Sequence, residues 1–405
     1  MTDTHVPKGA RVRLGVVDGD LEAEGGSTIQ AEGTVRVQGE ARFSGDVIVE
    51  GGLECRELRS RHGQVRVTGD FTATEKVSTD EGELEVGGAF RARDVDIDRR
   101  LSLGGPATVE TLEVGGRLEG ASTLSAKEVN VGGHFSLVGK ITAESVEAGG
   151  SVELQEVALD DLEVGGMVRV GNGTIRHRIT VGGKFTSDGR IHFGDFSAGG
   201  FAEFRDTAEG GSIEVGGVLS AKKDLTFTHL EIGGMGDILG SARGIDVEVG
   251  GKFSVGGGLE LSGSLEVGGM ISVGATLQAG RIEVGGKLTA ERAIAGGKAE
   301  IGGVVSTRSG LKAQLIELGR TSRATGPLVG GRVELSRGAR AEDVFGESVE
   351  LDRKCEVHRV VARDVIIGKG STVDEVVYSG TLRVDSGATI RSTPQKVATL
   401  PTFPL

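Results

Sequence analysis

The feature that most constrains this chain is a five-residue motif, apolar-x-apolar-Gly-Gly, that returns at a nearly constant interval. It reads LEVGG at 112–116, VNVGG at 129–133, VEAGG at 146–150, LEVGG at 162–166, ITVGG at 179–183 and FSAGG at 196–200. It continues as IEVGG at 213–217, LEIGG at 230–234, VEVGG at 247–251, LEVGG at 265–269, IEVGG at 282–286 and AEIGG at 299–303. The interval departs from its usual value only twice, one shorter at Gly165 and one longer at Gly268. A fixed period of this length marks a repeat architecture, in which one unit buries its apolar face only against its neighbours.

Past residue 303 the glycines fade and the frame persists. It passes through Ile316-Glu317-Leu318, Val333-Glu334-Leu335, Val349-Glu350-Leu351, Val365-Ile366-Ile367 and Leu382-Arg383-Val384. Toward the N-terminus, Val95-Asp96-Ile97 keeps the step. Leu84-Glu85-Val86, Val65-Arg66-Val67, Val47-Ile48-Val49 and Val35-Arg36-Val37 extend the series at looser, unequal steps. The shortest, from Val86 to Ile97, reads as a local irregularity or a two-sided turn.

Residues 129–148 show why the period has this length. Val129 and Val131 form one apolar pair, Phe135 and Leu137 a second, Ile141 and Ala143 a third, and Val146 and Ala148 start the next turn. Three strands of three residues, with corners of three, three and two residues, make up one period. Alternation of apolar and polar residues with period two is the signature of a half-buried strand, whereas a helix needs apolar residues at i, i+3, i+4 and i+7. The expected fold is all-β: a three-sided parallel β-helix, or β-solenoid, of about 22 turns of about 17 residues. Its expected hand is right, because parallel crossovers are overwhelmingly right-handed. The expected layout is a flexible segment over 1–11, one solenoid domain over 12–390 (less regular over 12–94) and a Pro-containing tail over 391–405. Glycine at the corners is expected to supply positive φ.

Composition fits a narrow aliphatic core, with 71 Gly, 13 Phe, 1 Tyr and no Trp among 405 residues. Net charge is −13, the reverse of the basic footprint of a nucleic-acid binder. No stretch is long and apolar enough for a transmembrane helix, and the first residues lack the apolar core of a secretory signal. A cytoplasmic location is therefore expected. Cys55 and Cys355 read as small core residues, too far apart along a solenoid to pair.

Two features draw attention as candidate sites. The middle residue of the motif points outward, and it is Glu at 214, 231, 248, 266, 283, 300, 317, 334 and 350, with further examples at 85, 113, 147 and 163. Glu214, Glu231, Glu248, Glu266, Glu283, Glu300, Glu317, Glu334 and Glu350 thus form a candidate acidic stripe, either a solvated face that keeps sheets apart or a surface for a basic partner. A partial apolar row of Met167, Phe201, Val218, Met235, Met270 and Val304 follows the corners, broken by Lys184, Lys252 and Lys287. No HExxH, CxxC or GxSxG motif occurs, and the Gly-Gly-Lys sequences precede no helix, so neither an enzyme nor a cofactor is expected. A carbohydrate-active solenoid would need clustered carboxylates with aromatic platforms.

Open solenoid ends present unpaired strand edges, which template pairing with another chain. Leu382, Val384 and Ile390 are the candidate end-to-end contact, and the tail RSTPQKVATLPTFPL is a candidate partial cap. The expected function is a non-enzymatic scaffold whose partner is itself, with other scaffold or envelope proteins as further partners. The alternative is a discrete rod-shaped adaptor or surface protein that uses the acidic stripe.

The stretches LEAEGGSTIQAEGTVRVQGEARFSGDVIVEGG and ARDVIIGKGSTVDEVVYSGTLRVDSGATI resemble the bactofilins, polymer-forming cytoskeletal proteins. The shared features are short apolar-x-apolar strands, Gly-x-Gly corners and short turns of nearly constant length. The resemblance implies a right-handed three-sided β-helix that polymerises end to end without nucleotide or metal and serves as a scaffold at membranes or in cell-shape control. Unlike most members, this chain is nearly all solenoid, and it lacks the short apolar membrane-targeting segment that some of them carry.

Overall fold

A computed structural model describes residues 3–403. It is an all-parallel β-solenoid of about 23 turns of about 17 residues, without helix among the described residues. The chain divides into two compact units, with the boundary between Gly199 and Gly200.

In the first unit, the strand His134–Ala148 and the next, Ser151–Val164, show one turn laid on another. Pairing runs in three segments, His134–Leu137 on Ser151–Leu154, Lys140–Ala143 on Glu156–Leu159 and Ser145–Ala148 on Asp161–Val164. These are the three sides, called here side 2, side 3 and side 1, the last being the one that carries the Glu-bearing motif. The expected inward residues Phe135, Leu137, Ile141, Ala143, Val146 and Ala148 are all buried. The shortened step before Gly165 sets Ile141 on Val157 and Ala143 on Leu159, so a residue is lost from a corner while the apolar columns stay aligned. Aromatic rings meet in the core: Phe71 and Phe90, in register on side 3, lie 5.3 Å apart, and Phe185 on side 2 meets Phe196 on side 1 edge-on at 4.9 Å.

The solenoid begins earlier than residue 12. Thr4–Val6, inside the segment expected to be flexible, pairs with Leu21–Ala23 on side 1. Side 1 then continues through Ala41, Leu58, Val77 and Val95, and the length of chain between these positions changes from turn to turn. This corrects the sequence frame before residue 95. Val47–Val49, Val65–Val67 and Leu84–Val86 belong to side 2, and Val35 to side 3. The short step from Val86 to Ile97 therefore joins two different sides, and no turn is missing or two-sided.

The Gly-Gly corners have a different cause from the one expected. None of Gly132, Gly133, Gly250 and Gly251 has a positive φ. Instead, the corner of one turn lies directly on that of the turn before. A Cβ on Gly132 would come within 2.2 Å of the Gly115 carbonyl oxygen, and one on Gly250 within 2.6 Å of the Gly233 oxygen. Backbone stacked on backbone leaves no room for a side chain.

In the second unit the same three sides recur, and from Gly319 onward the corner changes. Residues 319–322, 336–339, 352–355, 368–371 and 385–388 form four-residue corners whose third residue is left-handed: Thr321, Gly338, Lys354, Gly370 and Gly387, with φ between 58° and 82°. The fourth residue turns inward, and Ser322, Ala339, Cys355 and Ser371 are buried. Only small side chains fit beneath such a corner. Cys55 and Cys355 are both free and buried, as expected.

The tail does not cap the end of the solenoid. Gln395–Lys396 pairs with Val377–Tyr378 on side 3, and the chain then doubles back along that side. Outward residues Val329, Phe345, Val361 and Val377 form a column in register across four turns. They are buried because Val397, Leu400 and Phe403 pack on them, with the Phe345 and Phe403 rings 5.8 Å apart. The tail is a strap over a side of the second unit.

Candidate functional site

The nine carboxylates of the acidic stripe fall in one unbroken register. Glu214 pairs with Glu231, Glu231 with Glu248, Glu248 with Glu266, and so on to Glu334 with Glu350. All belong to side 1 of the second unit. The column then meets Ile366 and Arg383, which ends the acidic run. In the first unit Glu113, Glu147 and Glu163 occupy the same side, interrupted by Asn130. Glu85 does not belong with them: it lies on side 2, between Arg66 and Ser102.

Adjacent strands stand roughly 4.8 Å apart, so like charges in register repel unless they are screened or paired. The stripe solves this along half its length. Arg281 lies 2.8 Å from Glu283, Lys298 lies 2.8 Å from both Glu300 and Glu317, and Arg332 reaches Glu350 at 3.3 Å as well as Glu334. Each cation stands two residues before a Glu, on the outward face of the same strand. Hydrogen bonds from Lys298 to Glu300 and then to Glu317 raise its pKa. Glu214, Glu231, Glu248 and Glu266 make no ion pair among the described residues, and all four are exposed. The period-two placement of Arg281, Lys298 and Arg332 was visible in the sequence and is what divides the stripe into a paired and an unpaired half.

A second electrostatic device lies at the corners. Asp side chains accept backbone N–H groups from the following turn: Asp46 from Gln64 at 2.9 Å, Asp70 from Ala89 at 2.8 Å, Asp224 from Ser241 at 2.8 Å and Asp364 from Thr381 at 3.0 Å. Hydrogen bonds from the Thr381 hydroxyl, Arg363 and the Thr381 amide hold the Asp364 carboxyl down to about 2. These carboxylates fasten turn to turn. Asp224 also lines an open depression on side 3 of the second unit, beside the exposed Arg243–Glu260 pair at 2.8 Å.

The partial apolar row is a register column on side 2, running Phe201, Val218, Met235, Lys252, Met270, Lys287 and Val304. Met235, Met270 and Val304 are exposed, and the two lysines interrupt them as the sequence indicated.

Leu382, Val384 and Ile390 belong to the last turn. Leu382–Val384 pairs with Val365–Ile367, and Thr389–Ile390 with Thr372–Val373. Among the described residues neither strand has a partner on its other edge. Val384 occupies an inward column yet is 45% exposed, where Ile367 beneath it is fully buried. The strap leaves this edge open because it runs back over side 3.

Among the described residues no group of three or more His, Cys, Asp or Glu side chains is arranged to hold a metal ion, and no helix is long and apolar enough to cross a membrane. Comparison with family models, with curated proteins and with solved structures finds no match to this chain.

Proposed function

We propose that this protein is a non-enzymatic structural scaffold that assembles end to end into filaments without nucleotide. The observation that carries this reading is the last turn, whose strands on sides 1 and 2 are paired on one edge only and whose inward residue Val384 is 45% exposed. Such an edge offers unpaired N–H and C=O groups together with an unfilled apolar column, and a second copy supplies what both lack. The likeness of residues 21–52 and 362–390 to bactofilin sequence supports the same reading. In this reading the partner is the chain itself, and the site of action is the cytoplasm.

Negative-stain microscopy of the pure protein without nucleotide tests it. Filaments are expected, and Val384→Lys or Ile390→Lys is expected to shorten or abolish them. Single-chain particles over a wide concentration range would overturn the reading.

One observation favours a second reading, an adaptor that binds a cationic partner: the four in-register carboxylates Glu214, Glu231, Glu248 and Glu266, which have no ion-pair partner among the described residues. A pull-down from cell extract in which partners are lost when Glu231, Glu248 and Glu266 become Gln would replace the first reading with this one.

A further inference from the structure

The longer corners of the second unit carry a line of cations on an otherwise acidic chain. The second residues of four successive corners are Arg320, Arg337, Arg353 and Lys369, and all are exposed. These corners stack in register: the Thr321 N–H reaches the Arg337 carbonyl at 3.1 Å, the Gly338 N–H the Arg353 carbonyl at 3.0 Å and the Lys354 N–H the Lys369 carbonyl at 3.1 Å. The four side chains therefore rise from the edge between sides 1 and 2, one per turn, roughly 4.8 Å apart.

The chain leaves this ridge unneutralised, although like charges in register repel. Among the described residues Arg320, Arg337 and Lys369 make no ion pair, and Arg353 has only Asp352, at 3.9 Å. The stripe carboxylates beside the ridge are committed elsewhere. Glu317, which precedes Arg320, is held by Lys298 at 2.8 Å. Glu334 and Glu350, which precede Arg337 and Arg353, are both held by Arg332. Before Lys369 the same position is Ile366. The acidic stripe is thus quenched in the turns whose corners are basic, and its unpaired half lies in turns whose corners are glycine. Lys354 adds an independent sign. It is held at φ 58°, where the turns before and after use Gly338 and Gly370. A cation kept at a strained position, with no ion-pair partner among the described residues, has no compensation within the chain.

We propose that this ridge binds an acidic peptide segment of another protein, laid along the edge with its carboxylates on Arg320, Arg337, Arg353 and Lys369 and with Lys354 beside them. Guanidinium forks pair with carboxylates, and the long Arg and Lys stems take up small differences between the spacing of the turns and that of acidic side chains along a peptide. Other occupants suit the ridge less. No large apolar residue is exposed in these corners, so nothing there anchors a bilayer. No aromatic residue stands in them to stack a base or a sugar ring. A second copy would bring a net charge of −13 against an equally acidic chain. The site is independent of the scaffold reading, because it uses an edge of the solenoid and not its open end.

Fluorescence anisotropy of a dye-labelled oligoglutamate peptide, titrated with the full chain, tests the proposal. Binding is expected at low ionic strength, and it should weaken as added salt shortens the screening length. The combined substitution Arg320→Gln, Arg337→Gln and Lys369→Gln removes three exposed charge pairs and should weaken binding roughly tenfold, without lowering the melting temperature. Lys252→Gln with Lys287→Gln removes exposed cations on side 2, away from the ridge, and should leave binding unchanged. Lys354→Gly should weaken binding while raising the melting temperature, a split that a lysine with only a structural role would not produce. Absence of peptide binding, or an equal loss in the Lys252 and Lys287 variant, would overturn the proposal. So would tighter binding of single-stranded oligothymidylate or of phosphatidylglycerol vesicles than of the peptide. Salt-sensitive self-association without peptide, abolished by the ridge variant, would assign the ridge to a second copy and overturn it as well.

Discussion

From Gly132 to Gly183 in the first unit, and from Gly233 to Gly303 in the second, the corner after side 1 is a pair of glycines that stack on the glycines of the turn before. From Gly319 onward the same corner is longer and turns through one left-handed position. Both regions use glycine to join the same two sides, and they need it for unrelated reasons. At Gly250 the dihedrals suit any residue, and what is missing is space: a Cβ would meet the Gly233 oxygen at 2.6 Å. At Gly338 there is space, the nearest atom to a Cβ being 3.4 Å away, and what is missing for other residues is a comfortable φ of 76°. The first need is collective, because each glycine answers to the turn beneath it. The second is local, which is why Thr321 and Lys354 can occupy the same position at the cost of strain.

The difference can be broken at its strongest point by adding a methyl group. Gly250→Ala forces the backbones of two turns apart and is expected to cost about 2–3 kcal/mol. Hydrogen exchange should show the loss concentrated in the turns around residues 233 and 250. Equal protection to the wild type there would refute the stacking argument. Gly338→Ala is expected to cost less, about 1–2 kcal/mol, the ordinary penalty of a left-handed L-residue, and Gly338→Asn less again. Thermal melts of the three variants give the order, and a Gly338→Asn as damaging as Gly250→Ala would erase the distinction between the two corners. Lys354→Gly reverses the second effect. Relief of strain, partly offset by a freer unfolded chain, is expected to stabilise by up to about 1 kcal/mol. The same substitution logic applied to Thr321 should agree in sign.

The smallest effect is electrostatic and sharpens how the longer-cornered turns are fastened. Asp364 sits at about 2 in the folded protein, below the ordinary value of about 3.9. Its folded value is depressed, so its contribution is fully present above about pH 4 and fades as pH falls through about 2. Asp364→Asn should therefore lower the melting temperature slightly at pH 6 and make progressively less difference below pH 4. A constant difference across that range would show that the carboxylate is not the fastening group.

Much of this was written in the chain. From Val95 to Ile301 the columns are nearly identical from turn to turn, so the inward residues and the Glu register could be placed one by one. Before Val95 the reading failed for a physical reason. All three sides carry the same apolar-x-apolar triplet, corner lengths vary, and no glycine pair marks which side is which. Leu84–Val86 and Glu85 thus read in the sequence as part of the Glu-bearing side 1, whereas their hydrogen bonds place them on side 2. The strap has a counterpart in the sequence. Leu328-Val329, Val344-Phe345, Val360-Val361 and Val376-Val377 break the alternation with paired apolar residues that recur once per turn, as expected of strands covered on both faces. The open edge at Val384 could be anticipated only as a consequence of the repeat.

The strap has a mechanical meaning. In a solenoid each turn touches only its two neighbours, so turns fray one at a time and no distant turn notices. Val397, Leu400 and Phe403 lie across a column contributed by four successive turns, and so tie residues 329 to 377 into one clasp. Those turns gain a shared interest in staying folded. The end of the molecule that would otherwise be the first to peel away should instead open as a block or not at all.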